Sequence, residues 1–403
     1  MHDMDKPVWL RGKPCSGRNA YLSGRKIAPP GLTGSEGLPD VIERTMLACN
    51  GARLREACEL VVRKMLEPDV TVGLTLAGAL TSAGLGRSCV VPMIKAGFVD
   101  WIVATGANLY HDLHFAFDCP LHAGTPNVND ADLRDNGVVR IYDVLLDYTG
   151  CLLRTDEVLE EILTKPEFGE EMGMAYLHNL LGKHAAAEEE ANGLLDVSIL
   201  AAAYRAGVPV YTSSPGDSTI GMVIAKLGRL GYKFGIDPFY DVNETASYVL
   251  AAKRSGGRSA VMLMGGGSPK NFMLQTEPQL QESYRVVEAG HDYFLQVTDA
   301  RPDIGGLSGA TPQEAASWGK VAPANLPDAV VCYADTTIVL PLLTHYALSR
   351  HKPRRLRRLY EKRTETMQLL AREATRNLTT GKAPKHEPVI HLPMEVPEPD
   401  RAA

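Results

Sequence analysis

The sequence lacks the long apolar runs and the basic charge excess that mark membrane-spanning and nucleic-acid-binding proteins. No segment is apolar over a length that could cross a bilayer, and residues 1–30 contain no apolar core of a signal peptide. The formal net charge of the 403 residues is −6, whereas nonspecific binding to phosphate needs a basic surface. We therefore expect a cytoplasmic protein that has no nucleic-acid or membrane partner.

Cysteine is scarce and irregularly spaced. The seven cysteines are odd in number, and no two of them lie closer than nine residues. This spacing indicates neither a disulfide framework nor a CxxC metal or redox site. A reducing compartment suits such a chain.

Several common site motifs are also missing. There is no GxSxG nucleophile elbow, and the segment nearest to a dinucleotide fingerprint, residues 84–89, lacks the third glycine and lies in a predicted helix. His111 and His114, with Asp118 and His122, could hold a metal ion, but no further ligand follows at a recognisable spacing. We predict neither a Ser-His-Asp hydrolase nor a metal site.

The sequence does contain a series of short apolar runs separated by segments of helical length. Continuous apolar strands of this kind are typical of a mostly parallel sheet that helices cover on both faces. We therefore predict an α/β fold with a doubly wound sheet in a single large domain. The predicted strands are residues 70–75, 101–105, 208–212, 260–264, 293–298 and 329–333.

Small and polar residues follow four of these strands. In open α/β sheets, ligands bind outside the carboxyl ends of the strands, where glycine permits close backbone approach and helix N-termini attract phosphate. A nucleotide site is expected at this edge, although the three glycines at 265–267 could also form a tight turn without a ligand. The segments concerned are 105–108, 213–218, 265–268 and 334–337.

The two ends of the chain differ from its middle. Residues 1–36 are rich in glycine, proline and charge and are predicted to form an N-terminal arm, before the main domain at 37–350. Residues 351–403 are predicted to form a basic helix and a proline-rich tail. The helix would pack on the body or on a neighbouring subunit, and contact with an anion is the less favoured alternative. Its basic residues are Lys352, Arg354, Arg355, Arg357, Arg358, Lys362 and Arg363.

A lysine in an apolar setting points to covalent chemistry. Lys320 follows Trp318 and precedes a valine and an alanine, and burial makes the neutral amine, a nucleophile for carbonyls and imines, easier to reach. Glu314 and Asp217 supply carboxylates that could hold an amine or ribose hydroxyls, although each could also be a helix cap or a surface charge. Together these residues indicate amine chemistry.

The motifs around this lysine resemble the deoxyhypusine synthase family, which also contains homospermidine synthases. The SWGK sequence ends at Lys320 and is followed by a YAD sequence at 333–335, and order and spacing agree over residues 37–350. Further matching segments are 100–105, 136–141, 216–218, 265–267 with Lys270, 308–310, 314–321 and 339–343.

The resemblance implies a Rossmann-like homotetramer that binds NAD near subunit interfaces and acts on polyamines. Such enzymes oxidise a polyamine beside its secondary nitrogen, hold the aminobutyl group as an imine on a lysine, and pass it to an acceptor amine without net redox change. By position, Lys320 is the catalytic lysine. The substrate-binding residues implied are Trp318, Glu314, Asn271 and Gln275, and the cofactor-binding residues implied are Thr105, Gly106, Ala107, Asp217, Ser308, Ala334 and Asp335.

The departures from the family pattern concern the amine pocket. Asn271 and Phe272 stand where the family has two adjacent histidines, and Met222 and Leu307 replace two acids that would pair with ammonium groups. Because a buried unpaired ammonium is costly, spermidine is not expected to bind in the usual way. Tyr110 and His111 likewise replace two acids, a form that resembles the bacterial deoxyhypusine synthase-like branch.

Three functions follow from these observations. The favoured one is a homospermidine synthase-like, NAD-dependent transferase of aminoalkyl groups between small polyamines. The alternatives are a deoxyhypusine synthase that modifies a translation-factor lysine with spermidine, and a noncatalytic paralog that acts as a binding subunit. His111 and His114 are candidates for proton transfer in place of the family's histidine if the fold brings them to the nicotinamide.

Overall fold

One parallel sheet of six strands forms the centre of the computed structural model, which describes residues 26–169 and 171–378. A three-stranded antiparallel sheet and a two-stranded parallel sheet lie outside it. In chain order the strands are β1 Val70–Leu76, β2 Trp101–Ala104, β3 Leu121–Ala123, β4 Val138–Ile141, β5 Val144–Asp147, β6 Glu171–Met172, β7 Val210–Thr212, β8 Gly235–Ile236, β9 Arg258–Met264, β10 Tyr293–Thr298 and β11 Ala329–Tyr333.

The strand order of the central sheet is that of a dinucleotide-binding fold. Across the sheet the strands run β7-β2-β1-β9-β10-β11, and every neighbouring pair is parallel. Numbered by their order within this sheet, they read 3-2-1-4-5-6, so the direction of winding reverses between β1 and β9. All six predicted strands are present, and the predicted doubly wound, Rossmann-like α/β fold is confirmed.

Burial of the strands explains why they form one core. All seven residues of β1 and all six of β10 are buried, and since successive side chains point to opposite faces, both faces of the sheet are covered. Gly73 in β1 leaves room for its neighbours, because a Cβ there would lie 2.7 Å from both Trp101 and the Cε atom of Met273.

The helices connect the strands and cover the sheet. None of the helices within residues 26–169 and 171–378 has the length and apolar character needed to cross a membrane. They are α1 Leu38–Thr45, α2 Cys49–Leu60, α3 Val91–Lys95, α4 Gly106–Ala116, α5 Asp130–Asp135, α6 Arg154–Leu163, α7 Met174–Ala191, α8 Ile199–Ala206, α9 Thr219–Arg229, α10 Pro238–Arg254, α11 Gly267–Leu274, α12 Thr276–Pro278, α13 Pro312–Ser317, α14 Thr336–Arg350 and α15 Arg363–Leu378.

The basic segment after α14 is not the predicted helix. Residues 352–358 form neither helix nor strand, and α15 begins only at Arg363. The Arg354 side chain, 8% exposed, donates to Gly97 O over 2.6 Å and to Asp100 Oδ2 over 2.9 Å. These bonds hold the segment across the amino ends of β1 and β2, and Pro353 has no N–H for a helical bond.

The proposed division into an arm, a catalytic domain and a tail stays a prediction. Residues 1–25 of the arm and residues 379–403, which include the proline-rich tail, lie outside the described residues.

Candidate active site

The loops that follow the central strands converge at one edge of the sheet. Thr105, after β2, caps α4 and donates its hydroxyl to Gly78 O, after β1, over 2.5 Å. Gly106 packs directly against Ser218, because a Cβ there would collide with the serine side chain. Ser268 donates to Ser213 Oγ over 2.7 Å and so joins the loops after β9 and β7. The predicted ligand-binding edge is therefore built from contacts between these loops.

The glycine turn after β9 lies at the point where the winding reverses. Gly265 and Gly267 have φ values of +88° and +59°, a backbone region that other residues rarely adopt. A Cβ at Gly266 would lie 2.5 Å from Ser308 Cα, and Gly267 N donates to Ser308 Oγ over 2.9 Å. The turn and Ser308, both of which the sequence singled out, are in direct contact.

Lys270 is a buried lysine one turn into α11. Its ammonium donates to Gln296 Oε1 over 2.9 Å, to Ala310 O over 2.7 Å and to Ser308 O over 3.4 Å. Burial lowers the pKa of Lys270 to about 8, Glu314 opposes the shift, and Lys320 adds to it. Gln296, buried in β10, also donates to Gly265 O and Ser308 O. Nothing in the sequence pattern marked this glutamine, because β10 reads only as an apolar run.

Lys320 is half-buried, and its amine faces the middle of α11. Nζ donates to Asn271 Oδ1 over 3.0 Å and lies 5.8 Å from the centroid of the Trp318 ring. Burial lowers the pKa of Lys320, while the carboxylates of Glu314 and Glu282 oppose that shift. Lys320, Trp318 and Glu314, which one motif singled out, thus lie in one group with Asn271. The arrangement supplies an amine that is easier to deprotonate than a free lysine.

The end of a short helix fixes the position of Lys320. Thr311 caps α13, the helix ends at Ser317, and Gly319 follows with a φ of +68°. Lys320 N donates to Ala315 O over 3.0 Å, a bond that closes the turn after α13. Gln281 Nε2 donates to Gly319 O over 2.8 Å, so a side chain from the segment after α12 holds the same turn.

A cavity of about 330 Å³ lies beside Asn271. Two of the four predicted substrate-binding residues, Asn271 and Gln275, line it together with Phe272 and Glu282. The other two, Trp318 and Glu314, are not among its lining residues. Glu282 was missed because it lies in the short helical turn Gln279–Ser283, which carries no recognisable motif. The remaining lining residues are Ser213, Val242, Thr245, Ser268, Thr276, Pro278, Gln279 and Ser283.

The predicted cofactor-binding residues divide between two ends of the same edge. Asp217 and the 105–107 turn lie together after β7 and β2, beside a second cavity of about 330 Å³ that Gly106 and Gly216 help to line. Ala334 follows β11 and donates its N–H to Thr298 O over 3.1 Å. Asp335 caps α14, and hydrogen bonds from Thr337 lower the pKa of its carboxyl.

The histidines of α4 make their bonds away from the lysine. His114 Nδ1 lies 2.7 Å from Thr155 Oγ1, and its Nε2 lies 3.1 Å from His111 Nδ1. Burial lowers the pKa of both imidazoles, that of His114 to about 3. Over the described ranges, 26–169 and 171–378, no three His, Cys, Asp or Glu side chains are placed to hold a metal ion. These contacts give the pair a packing role in α4 and do not connect it to Lys320.

The family model for deoxyhypusine synthase matches residues 41–347. A protein of Nostoc punctiforme named "Deoxyhypusine synthase-like protein" is 48% identical, over 93% of this chain and 94% of that one. One of the same name from a Cyanothece species is 50% identical, over 88% and 89%. "Probable deoxyhypusine synthase 2" of Methanosarcina acetivorans is 36% identical, over 73% and 81%.

A solved structure shares the fold at low sequence identity. It is that of an Entamoeba histolytica protein with a provisional deoxyhypusine synthase name, and it superposes with a TM-score of 0.50 at 12% identity, over 82% of this chain and 99% of that chain. The matches to the family model and to these relatives include the strand-end loops, the glycine turn after β9 and the turn after α13 that carries Lys320. The chain therefore belongs to the deoxyhypusine synthase family.

Proposed function

We propose that this chain is an NAD-dependent transferase that moves an aminoalkyl group between polyamines through an imine on Lys320, in the manner of a homospermidine synthase. The observation that carries the proposal is the Lys320 amine, half-buried and bonded to Asn271 Oδ1 at 3.0 Å beside a polar cavity. An amine with a lowered pKa is suited to imine formation.

The strand-end edge fits a dinucleotide. No atom lies within 4 Å of a Cβ built on Gly78 or Gly267, so backbone at the ends of β1 and β9 borders open space between the strands where such cofactors bind. Asp217, Ser308 and Asp335 would contact the cofactor together with the 105–107 turn and Ala334. Bound NAD would supply the oxidation of the carbon beside the substrate's secondary nitrogen and the matching reduction at the end of the cycle.

Lys320 carries the group between the two amines. As the neutral amine, Nζ adds to the carbon of the oxidised substrate's C=N bond. The bond from that carbon to the substrate nitrogen then breaks, and the released amine takes the proton that Nζ loses. An acceptor amine adds to the same carbon, the bond to Nζ breaks, and Lys320 is regenerated with a proton. No atom is left on the protein after one turnover.

The neighbouring side chains position the reactants. Trp318, whose ring lies 5.8 Å from Nζ, would stack along the methylene chain, and the Glu314 carboxylate would hold an ammonium group. Asn271 accepts the hydrogen bond of Lys320 but cannot take up a proton as the family's histidine can. We infer that Asn271 orients Nζ, while Gln275 contacts the amine substrate from the cavity wall.

We further propose a homotetramer with the lysine site at a subunit interface. Four large apolar side chains are exposed on segments that follow the central strands, and we infer that a neighbouring subunit covers them. These are Met222, Leu307, Trp318 and Ile338, at 67%, 52%, 60% and 65% exposure.

Reduction with borohydride tests the proposed route. Incubation with NAD and spermidine, putrescine, homospermidine or agmatine, followed by reduction and peptide mass mapping, should place an adduct on Lys320 whose mass identifies the transferred group. The Lys320→Ala variant should form no adduct and should still bind NAD. Its transfer rate should fall at least a thousandfold, roughly the effect of removing a covalent nucleophile. Full activity of this variant would refute the proposal, and an absent adduct in the unmodified chain would favour a noncatalytic paralog.

Modification of a protein lysine is the second candidate, because an archaeal relative 36% identical to this chain carries the name of a deoxyhypusine synthase. Radiolabelled spermidine separates the two reactions. Label on the lysine of a cognate translation-factor precursor supports this candidate, and label confined to small amines supports the first.

A further inference from the structure

Two carboxylates lie near Lys320 and have no partner among residues 26–169 and 171–378. Glu314 and Glu282 both act on the charge of the Lys320 amine, and both side chains are exposed. Within the part of the chain that the structure describes, neither carboxylate accepts a hydrogen bond or lies within 4.0 Å of a basic group. Both are therefore available to a cationic ligand.

Glu282 is the charged group of an otherwise neutral cavity. The cavity of about 330 Å³ beside Asn271 is lined by hydroxyls, amides and apolar groups, and Glu282 is the sole ionisable side chain among the described residues that line it. Asn271, which accepts the Lys320 hydrogen bond, lines the same cavity. A single carboxylate within a neutral wall selects a ligand with a cationic end.

The rest of the cavity suits an unbranched methylene chain. Phe272 and Val242 contribute apolar wall, while Ser213, Ser268 and Gln275 contribute polar groups. An amine that extends from Glu282 past Asn271 would bring its other end to Lys320. This geometry does not use the two acids that are absent at Met222 and Leu307.

We propose that Glu282 binds the terminal ammonium group of a linear diamine or oligoamine whose other end reaches Lys320, and that it thereby selects diamines over monoamines. The inference rests on the proposed function for the role of Lys320, but the binding itself requires no chemistry. Glu282 is thus a specificity-determining residue of the amine cavity.

Binding would also change the state of the lysine. In the free protein the Glu282 carboxylate raises the pKa of Lys320 and opposes the effect of burial. A bound ammonium would neutralise that carboxylate and place a second positive charge nearby, and both changes favour the neutral amine. Arrival of the substrate would then activate the nucleophile.

Calorimetric titration of the NAD-loaded protein tests the selection. The probes are 1,4-diaminobutane and n-butylamine, and the proteins are the unmodified chain, Glu282→Gln and Glu190→Gln. Glu190 is an exposed carboxylate on α7, so it controls for the change in net charge. The unmodified chain and Glu190→Gln should prefer the diamine. Glu282→Gln should bind the diamine about fivefold more weakly, the size of a solvent-exposed ion pair, and the monoamine unchanged.

A second measurement follows Lys320 itself. The rate of its reductive methylation by formaldehyde and cyanoborohydride, read by peptide mass mapping across a pH series, should rise at lower pH in Glu282→Gln than in the unmodified chain. Equal diamine affinity in Glu282→Gln and the unmodified chain would overturn the inference, as would an unmodified chain that binds no diamine. An intact diamine preference without a borohydride adduct would instead refute the transferase proposal and leave this one standing.

Discussion

At the scale of single residues, two lysines share one site but differ in their surroundings. Lys270 is 2% exposed and donates to three oxygens, which hold its ammonium in place near neutral pH. Lys320 is half-buried and donates to one amide oxygen, Asn271 Oδ1. Lys320 therefore has the freer lone pair once it loses its proton, and its positive charge before that helps to lower the pKa of Lys270.

The charge of residue 271 should set the pH dependence of Lys320. Asn271→Asp places a carboxylate where Oδ1 now accepts the lysine bond at 3.0 Å, and a negative charge so close should raise the pKa of Lys320. Transfer and adduct formation should then fall about tenfold at pH values below that pKa.

Rate profiles against pH measure this shift. In the unmodified chain the rate should rise with pH and level off below the usual range of a lysine, because burial lowers the pKa. The profile of the Asn271→Asp variant should be displaced to higher pH, whereas Asn271→Ser, which adds no charge, should keep the original midpoint. Identical profiles for Asn271→Asp and the unmodified chain would show that Lys320 is not the titrating group.

At the scale of elements, the turn after α13 determines the orientation of the Lys320 side chain. Gly319 has a positive φ of +68° and accepts a hydrogen bond from Gln281. A Cβ on Gly319 would collide with the Gln281 amide oxygen. The turn tolerates neither a larger residue nor a different backbone path without moving the lysine.

Gly319→Ala should therefore separate activity from stability. The left-handed backbone costs alanine about 1 to 2 kcal/mol, and the collision with Gln281 should displace Lys320 and lower transfer at least tenfold. Gly193→Ala is the matched control, because Gly193 follows α7 with a φ of +69° and has no atom within 4 Å of its Cβ position.

Denaturant unfolding and transfer rates give the comparison. Both variants should lose a similar free energy of unfolding, and only Gly319→Ala should lose activity. If Gly193→Ala lost as much activity, the loss in Gly319→Ala would come from general destabilisation and not from a changed orientation of Lys320.

The strands, the motif around Lys320 and the basic segment show how much of the structure the sequence could predict. The strands were predictable because each is a continuous apolar run, and the motif around Lys320 predicted its group with Trp318 and Glu314. The roles of Gln296 and Glu282 could not be predicted. Whether a residue lies in a cavity depends on contacts between distant segments, which no local sequence pattern encodes. The basic segment was assigned to a helix from its leucine spacing, but bonds from Arg354 to Gly97 and Asp100 hold it in another conformation.

At the scale of the whole molecule, the segment between α14 and α15 ties the end of the described chain to the sheet. The Asp100 carboxylate is 1% exposed and pairs with Arg354 at 2.9 Å and with Arg357 at 3.5 Å. It also accepts a hydrogen bond from Val72 N. This buried pair lies at the amino ends of the strands, opposite the lysine.

Removing the buried arginine should destabilise the molecule as a whole. Arg354→Ala leaves the Asp100 carboxylate buried with only the more distant Arg357, so the free energy of unfolding should fall by about 3 kcal/mol. Arg355→Ala, at the exposed neighbouring position, should change it by less than about 0.5 kcal/mol. Urea denaturation at pH 7 measures the free energy of unfolding of both variants. Equal decreases in the two variants would show that the buried pair of Arg354 and Asp100 does not contribute specifically to stability.

The two ends of the sheet also differ in electrical sign. Arginines and lysines of residues 352–358 crowd the amino ends of β1 and β2, whereas exposed carboxylates line the opposite edge, at Asp217, Glu282, Glu314 and Asp335. These four carboxylates are expected to attract a small cation that approaches this edge from solution. Diffusion of the amine should therefore be biased toward the edge of the sheet that carries Lys320. Because dissolved ions screen such fields within about 8 Å at physiological ionic strength, binding of the amine should slow as salt is added.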